Sequence, residues 1–131
     1  FGPAHTTGDT FIYFKEANII HTGYLTNLDG LPFIDADNGG TLEGMISSLY
    51  RVLELIDDNT IVVPGHGPVA DKDTIKSFLM KLVAVNNRID ALVDDGKSGQ
   101  EILEINPAKE IIEEVPFSIL VNRALVGKGL L

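Results

Sequence analysis

The sequence predicts an α/β fold in which a small sheet and its loops are followed by helices. Short β-branched and aromatic runs fill the first part of the chain, helical periodicity begins after residue 41, and one more β-branched run follows at residues 60–63. The chain has 131 residues, 44% of them hydrophobic, which is enough to bury a core. We therefore expect one domain over residues 1–131, β-rich over 1–70 and helical over 71–131.

The first elements form a predicted β-hairpin. Two apolar runs, at residues 11–14 and 18–21, flank a short polar link. Both runs are almost continuously apolar, so both faces of the hairpin are expected to be covered. Residues 24–40 show no periodicity and repeat Asn, Asp, Gly and Pro, which predicts a long loop.

A helix, a strand and a turn follow. Apolar residues recur every three or four positions from Thr41, a candidate N-cap, to Ile56. The β-branched run at residues 60–63 predicts a strand, and it ends in a Pro-Gly-His-Gly-Pro turn at residues 64–68. This order places the turn directly at the end of a buried strand.

The remaining residues are predicted to be helical. A long amphipathic helix begins at Asp71 and ends at Gly96, a residue suited to the position after a helix. Residues 98–101 read as a capping box that opens a short helix. Pro107 and Pro116 are expected to open two more.

Charge and composition exclude several classes of function. Nineteen acidic and ten basic residues give a formal net charge of −9, which disfavours binding to nucleic acid or to an anionic membrane surface. Apolar runs are too short to span a bilayer, and no signal peptide is recognisable. Without cysteine, any metal must be held by histidine and carboxylate, and a cytoplasmic location is expected. The first residue is Phe1 rather than Met, which suggests that an upstream segment has been removed.

Two histidines lie on glycine-containing loops beside predicted strands. His5 precedes the hairpin, and His66 follows the strand at residues 60–63. Glycines let the backbone bend closely around an ion while the strand directs the imidazole. A turn histidine that only bonds backbone is the alternative for either residue alone, but the pair favours a metal site.

In their order and spacing, these motifs resemble the second half of the metallo-β-lactamase superfamily of αββα metal-dependent hydrolases. The segment around His5 is similar to the family's third histidine motif, and residues 19–25 are similar to its strand and turn that carry a bridging aspartate. Residues 34–40 look like its lid loop, and the turn around His66 looks like its terminal Gly-His-Gly loop. The resemblance implies half of a sandwich, and hence a partial domain. It also implies zinc held by His5 and His66, and hydrolysis of an ester, thioester, lactone or lactam by a zinc-activated water.

Two departures from the family pattern bear on activity. Its His-x-His-x-Asp-His motif is absent, and Tyr24 stands where the bridging aspartate is expected. Tyr24 reflects either the loss of the carboxylate in a non-catalytic descendant or a side chain that fills the space of the metals. Two imidazoles hold zinc weakly, so the isolated chain is not expected to be an active hydrolase.

Other polar residues are given structural roles. His21 is interpreted as a core or hydrogen-bonding histidine. Four aspartates are conceivable third ligands, although a turn or cap role is expected for an aspartate in a loop: Asp9, Asp29, Asp35 and Asp37.

Half of a sandwich leaves one sheet face uncovered, so the chain is expected to form a homodimer or to pair with a separate N-terminal half. A non-catalytic scaffold that dimerises through this face is the alternative function. An anion-binding module is disfavoured, because the chain is acidic and lacks phosphate-loop spacing.

Overall fold

The computed structural model describes residues 2–30, 32–112 and 118–131. Within these ranges the chain has mixed α/β structure, as predicted, with three strands, four α-helices and one short 3-10 helix. In chain order the elements are β1 (Ile12–Phe14), β2 (Ile19–Asn27), the 3-10 helix (Ala36–Asn38), α1 (Leu42–Leu55), β3 (Ile61–His66), α2 (Lys72–Asp94), α3 (Gly99–Ile105) and α4 (Ser118–Gly127).

The three strands form one sheet in the order β1-β2-β3. β1 and β2 form the predicted antiparallel hairpin, with Ile12 opposite His21. β2 and β3 are parallel, with Ile20 opposite Val62, and α1 supplies the crossover between them. Because β2 and β3 run in the same direction, their carboxyl ends lie at one edge of the sheet.

The core lies where the sheet packs against the helices. Its largest fully buried side chains come from β2, the loop after it, α1, α2, α3 and α4: Ile20, Leu25, Ile34, Leu42, Met45, Leu49, Ile75, Leu79, Leu82, Ile89, Ile102 and Leu120. The apolar stripes predicted from helical periodicity therefore contribute to one contiguous core.

The helix boundaries follow the predicted capping signals. Thr41 and Asp71 accept hydrogen bonds at the first turns of α1 and α2. Ser98 and Glu101 form the predicted capping box of α3. Gly96, with φ +77°, follows the end of α2 in the left-handed conformation that glycine adopts without strain.

Two boundaries differ from the prediction. β2 continues to Asn27, so the predicted loop over residues 24–40 begins later and contains the 3-10 helix. The helix predicted at Pro107 is wrong, because residues 107–111 form hydrogen-bonded turns after Asn106 ends α3 in the left-handed conformation. Pro116 lies outside the described residues, and the next described helix is α4.

One face of the sheet is left open in the single chain. Strand pairing places two rows of residues on this face, which we call the open sheet face: Ile12, His21 and Val63 in one row, and Phe14, Ile19 and Ile61 in the other. Ile12 and Phe14 are each 55% exposed and Ile61 is 45% exposed. The expectation that both hairpin faces are covered is therefore wrong for one copy of the chain, because the helices cover only the opposite face.

Arg123 in α4 and Lys128 directly after it tie the C-terminal segment to the rest of the fold. Lys128 contacts Glu43 of α1, and its Nζ donates to Asp90 of α2 at 2.7 Å. Arg123 donates to the Ile34 carbonyl at 3.2 Å and to Asp37 at 2.5 Å. No helix in the described part of the chain is both long and apolar enough to cross a membrane.

Candidate metal centre

His5, Tyr24 and His66 meet close to the shared edge of β2 and β3, and we call them the His–Tyr cluster. The rings of His5 and Tyr24 are stacked, with centroids 4.5 Å apart and planes 16° apart. The rings of Tyr24 and His66 meet edge to face at 5.0 Å. The fold thus brings both predicted metal ligands into contact with the residue that replaces the expected aspartate.

His5 is oriented by a buried carboxylate. Its Nδ1 lies 3.2 Å from Asp9 Oδ1, and Asp9 Oδ2 accepts the Thr6 backbone N–H at 2.7 Å. The side chain of Asp9 is 6% exposed and that of His5 is 17% exposed. An ionised carboxylate only accepts hydrogen bonds, so this partner assigns the hydrogen to Nδ1 and leaves the Nε2 lone pair free for a ligand role. A carboxylate on the second nitrogen is also the usual support of a metal-binding histidine.

His66 is held at the end of β3 by close backbone packing. Its carbonyl accepts the Leu28 N–H at 2.8 Å. A Cβ on Gly65 would lie 2.5 Å from the Gly23 carbonyl oxygen, so only glycine permits this approach of β3 to β2. Gly67, with φ +105°, turns the chain away after His66. The strand approach before His66 thus requires Gly65, and the turn after it favours Gly67.

The imidazole of His66 is engaged by Tyr24. His66 Nε2 and Tyr24 Oη are 2.9 Å apart, a hydrogen-bond distance. Tyr24 follows Gly23, whose φ of +54° accompanies breaks in the β2–β3 register on both sides. The phenol is 45% exposed, so the cluster lies at the surface.

The residues present do not fit a zinc centre. Catalytic zinc takes three protein ligands and a water, and no group of three histidine or acidic side chains among the described residues is placed to hold a metal. Of the two imidazoles, one has its Nε2 occupied by a phenol that also stacks on the other ring. The described residues of this chain thus supply no ligand set for a metal-dependent step.

The candidate third ligands have other partners or positions. Asp35 caps the 3-10 helix, and the hydrogen bond from the Asn38 side chain, with the nearby Arg123 charge, lowers the pKa of Asp35. Asp37 pairs with Arg123, and Asp29 is exposed on the loop after β2. Of the four aspartates, Asp9 reaches the cluster, through His5 Nδ1.

His21 lies outside the cluster, on the open sheet face. Its Nδ1 accepts the Gly23 N–H at 3.1 Å, so its role as a hydrogen-bonding histidine is confirmed. Its placement in the core is wrong, because alternation along β2 turns its side chain away from the helices.

Sequence reasoning missed Phe33, beside His5, and Arg123, which holds the loop that carries Phe33. The Phe33 ring lies 5.8 Å from that of His5, and the N–H of Asp35 donates to the His5 carbonyl at 2.8 Å. Arg123 holds this loop from α4. Because these contacts join residues that are far apart in the sequence, no local sequence pattern predicts them.

Comparison with known proteins identifies a distant relative of this chain. The chain is 31% identical over 71 residues to the probable metallo-hydrolase YqgX of Bacillus subtilis (strain 168). It is a distant relative of that metallo-hydrolase. The match covers 54% of this chain and 33% of the relative, so the chain spans about a third of the relative's length. No protein-family model matches the sequence.

Proposed function

We propose that this chain is the C-terminal half of a metallo-β-lactamase-type hydrolase, which cannot act alone and needs a complementary half. The convergence of His5 and His66, with His5 oriented by Asp9, is the observation that carries this proposal. The relationship to a probable metallo-hydrolase supports it. Hydrolysis of an ester, thioester, lactone or lactam with zinc is the reaction class that the resemblance implies.

The described residues of this chain position two histidines for such a site but do not complete its set of metal ligands. Asp9 fixes the ring of His5, and the backbone around Gly65 fixes His66 at the strand end. Because Tyr24 stacks on His5 and lies within hydrogen-bond distance of His66 Nε2, we expect no turnover by the isolated chain, whether or not zinc is added.

The open sheet face supports a complementary half as the partner. Three large apolar side chains on this face, Ile12, Phe14 and Ile61, are about half exposed, and such a surface is stabilised when another layer covers it. Self-association is the less favoured way to cover it, because each copy carries a formal charge of −9.

Sedimentation velocity tests the proposal without zinc. The chain is mixed with the part of the Bacillus subtilis relative that lies outside the matched segment, and we expect a one-to-one complex. Ile61→Asp, on the open sheet face, is expected to abolish the complex, whereas Met80→Asp, at an exposed position of α2, leaves it intact. No complex between the wild-type chain and a fragment that circular dichroism shows to be folded would contradict the proposal.

A non-catalytic module that dimerises through the open sheet face is the second candidate function. The shared exposure of Ile12, Phe14 and Ile61 favours it as well. It predicts a dimer of the chain alone that Ile61→Asp dissociates and Met80→Asp does not. If the chain alone is a monomer, this candidate is excluded. If the chain is also a monomer in the presence of the folded fragment, both candidates are excluded.

A further inference from the structure

Tyr24 contacts the two imidazoles in different ways. Its ring stacks on His5, while its hydroxyl lies within hydrogen-bond distance of Nε2 of His66. A metal bound through Nε2 of both His5 and His66 must displace the Tyr24 hydroxyl from His66. The same ion must also find room beside a ring that packs against His5.

The other requirements of a histidine ligand are already met around the cluster. Asp9 orients His5 through Nδ1 and is itself fixed by the Thr6 N–H. His66 lies on a backbone held by the Leu28 N–H and by the close approach of Gly65 to Gly23. The imidazole of His5 and the backbone that carries His66 are thus positioned before any metal arrives, and preorganised ligands lower the cost of binding.

We infer that, in the isolated chain, Tyr24 keeps the His–Tyr cluster free of metal, and that replacing its phenol by a carboxylate creates a zinc site with His5 and His66. The inference rests on the proposed function, since that proposal gives both histidines a ligand role. The substitution removes the bulky ring and its hydroxyl and adds an oxygen ligand. Two imidazoles and one carboxylate are a ligand set that zinc accepts, with water in the fourth position.

Zinc titration by calorimetry on four purified proteins tests the inference: wild type, Tyr24→Phe, Tyr24→Ala and Tyr24→Asp. We expect Tyr24→Asp to bind one zinc ion per chain at least about a hundredfold more tightly than wild type, because even supporting groups around a metal change affinity by roughly 10- to 100-fold. Tyr24→Phe keeps the ring and is expected to bind no better than wild type. Tyr24→Ala opens the space without adding a ligand and is expected to fall between wild type and Tyr24→Asp.

Two further variants locate the site. In the Tyr24→Asp background, His66→Ala is expected to abolish the gain in affinity. In the same background, Asp9→Asn is expected to reduce affinity by roughly 10- to 100-fold, because His5 loses its orienting carboxylate. Nitrogen-15 spectra of the histidine side chains give an independent readout, since zinc is expected to shift the Nε2 resonances of His5 and His66 together.

A folded Tyr24→Asp chain, verified by circular dichroism, that binds zinc no better than wild type would overturn the inference. So would wild-type binding as tight as that of the variant, or a gain that survives His66→Ala. Tyr24 is 45% exposed, so the substitutions of Tyr24 are expected to leave the fold intact. Failure here is distinct from failure of the proposed function, because the sedimentation test uses no metal.

Discussion

Gly44, in the first turn of α1, is where the segment that carries His5 lies against the helix. A Cβ at this position would lie 1.4 Å from the Pro3 carbonyl oxygen. Backbone atoms cannot yield as the end of a flexible side chain does. The small residue therefore sets the distance between α1 and the loop that positions His5.

Gly44→Ala is expected to destabilise the fold by about 1 to 3 kcal/mol, the usual cost of overpacking. In an unobstructed helix the same change gains up to about 1 kcal/mol, so the sign is informative. Gly127→Ala in α4 is the comparison, since its Cβ would lie 3.3 Å from the nearest backbone oxygen, a mildly tight contact, and a smaller change in stability is expected. Urea unfolding of both variants measures the difference, and a Gly44→Ala protein more stable than wild type would refute the prediction.

The buried hydroxyls differ in whether they are hydrogen-bonded. Ser48 Oγ, inside α1, has no hydrogen-bond partner among the described residues. Thr22 Oγ1 contacts Thr26 Oγ1 at 2.5 Å and donates to the Val63 carbonyl at 3.3 Å. Burial of an unpaired polar group lowers stability, whereas a paired one is close to neutral or favourable.

Ser48→Ala is expected to leave the free energy of unfolding unchanged or to raise it by about 1 kcal/mol, because an unpaired hydroxyl is removed and helix propensity improves. Thr22→Val is expected to lower it by about 1 to 2 kcal/mol, since Thr26 loses its partner. Urea unfolding under identical conditions ranks the two variants. A larger loss for Ser48→Ala than for Thr22→Val would show that the assignment of partners is wrong.

At the scale of elements, the loop between β2 and α1 is held in place by α4. Arg123 donates to the Ile34 carbonyl and to Asp37, and this loop places Phe33 beside His5. The C-terminal helix thus supports the His–Tyr cluster without contacting it through Arg123. Arg123 is a positioning residue, not a ligand.

Arg123→Met is expected to cost about 1 to 2 kcal/mol of stability and to shift the His5 side-chain resonances, because the loop loses its tie to α4. Arg88→Met is the matched control, since Arg88 also donates to a carbonyl and a carboxylate, those of Pro107 and Glu110. That variant is expected to lose stability while His5 is unaffected. Equal shifts of His5 in both variants would argue against a specific role of Arg123.

The elements that the sequence predicted well are those defined by local interactions. Thr41, Asp71 and Ser98 each accept a hydrogen bond from the residue three positions later, so side chain and partner stand together in the sequence. The helix expected at Pro107 failed because the left-handed Asn106 before it leads into turns instead. A proline permits a helix start but does not enforce one.

The sequence singled out two histidines of the candidate site but not their contacts. Glycine-containing loops suggested His5 and His66 as ligands, and the fold places both rings against Tyr24. The stacking of Tyr24 on His5 depends on the register breaks around Gly23, which pairing between distant strands determines. Periodicity carries no information on such pairings.

At the scale of the whole molecule, α4 is joined to the two core helices by one cation. Burial alone would lower the pKa of Lys128, but its hydrogen bonds to Asp90 and Glu43 outweigh this effect and raise it. The contribution of these contacts to stability is thus present below the ordinary lysine pKa and is lost as pH rises through the raised value. The last helix accordingly remains attached across the neutral range.

Carboxylates that cap turns and helices contribute to the loss of stability in acid. Hydrogen bonds to the charged form lower the pKa of four such groups. The main donor is the Asn38 side chain for Asp35 and the Asn18 side chain for Asp57. It is the Thr74 side chain for Asp71 and the Ser98 backbone N–H for Glu101. A group with a lowered pKa binds fewer protons in the folded state than in the unfolded one. Its contribution is therefore present above the unfolded pKa and lost as pH falls through the lowered value.

We expect the free energy of unfolding to be level between about pH 5 and 8 and to fall steadily below about pH 4, where unfolded carboxyl groups take up protons. Asp71→Asn isolates one contribution, because asparagine caps a helix about as well as aspartate but does not titrate. Urea unfolding at pH 7, 5, 4 and 3 measures both proteins. The variant is expected to lose less stability than wild type between pH 5 and 3, since one group no longer binds a proton on unfolding. Equal losses in the two proteins would mean that the Thr74 contacts do not favour the charged form of Asp71.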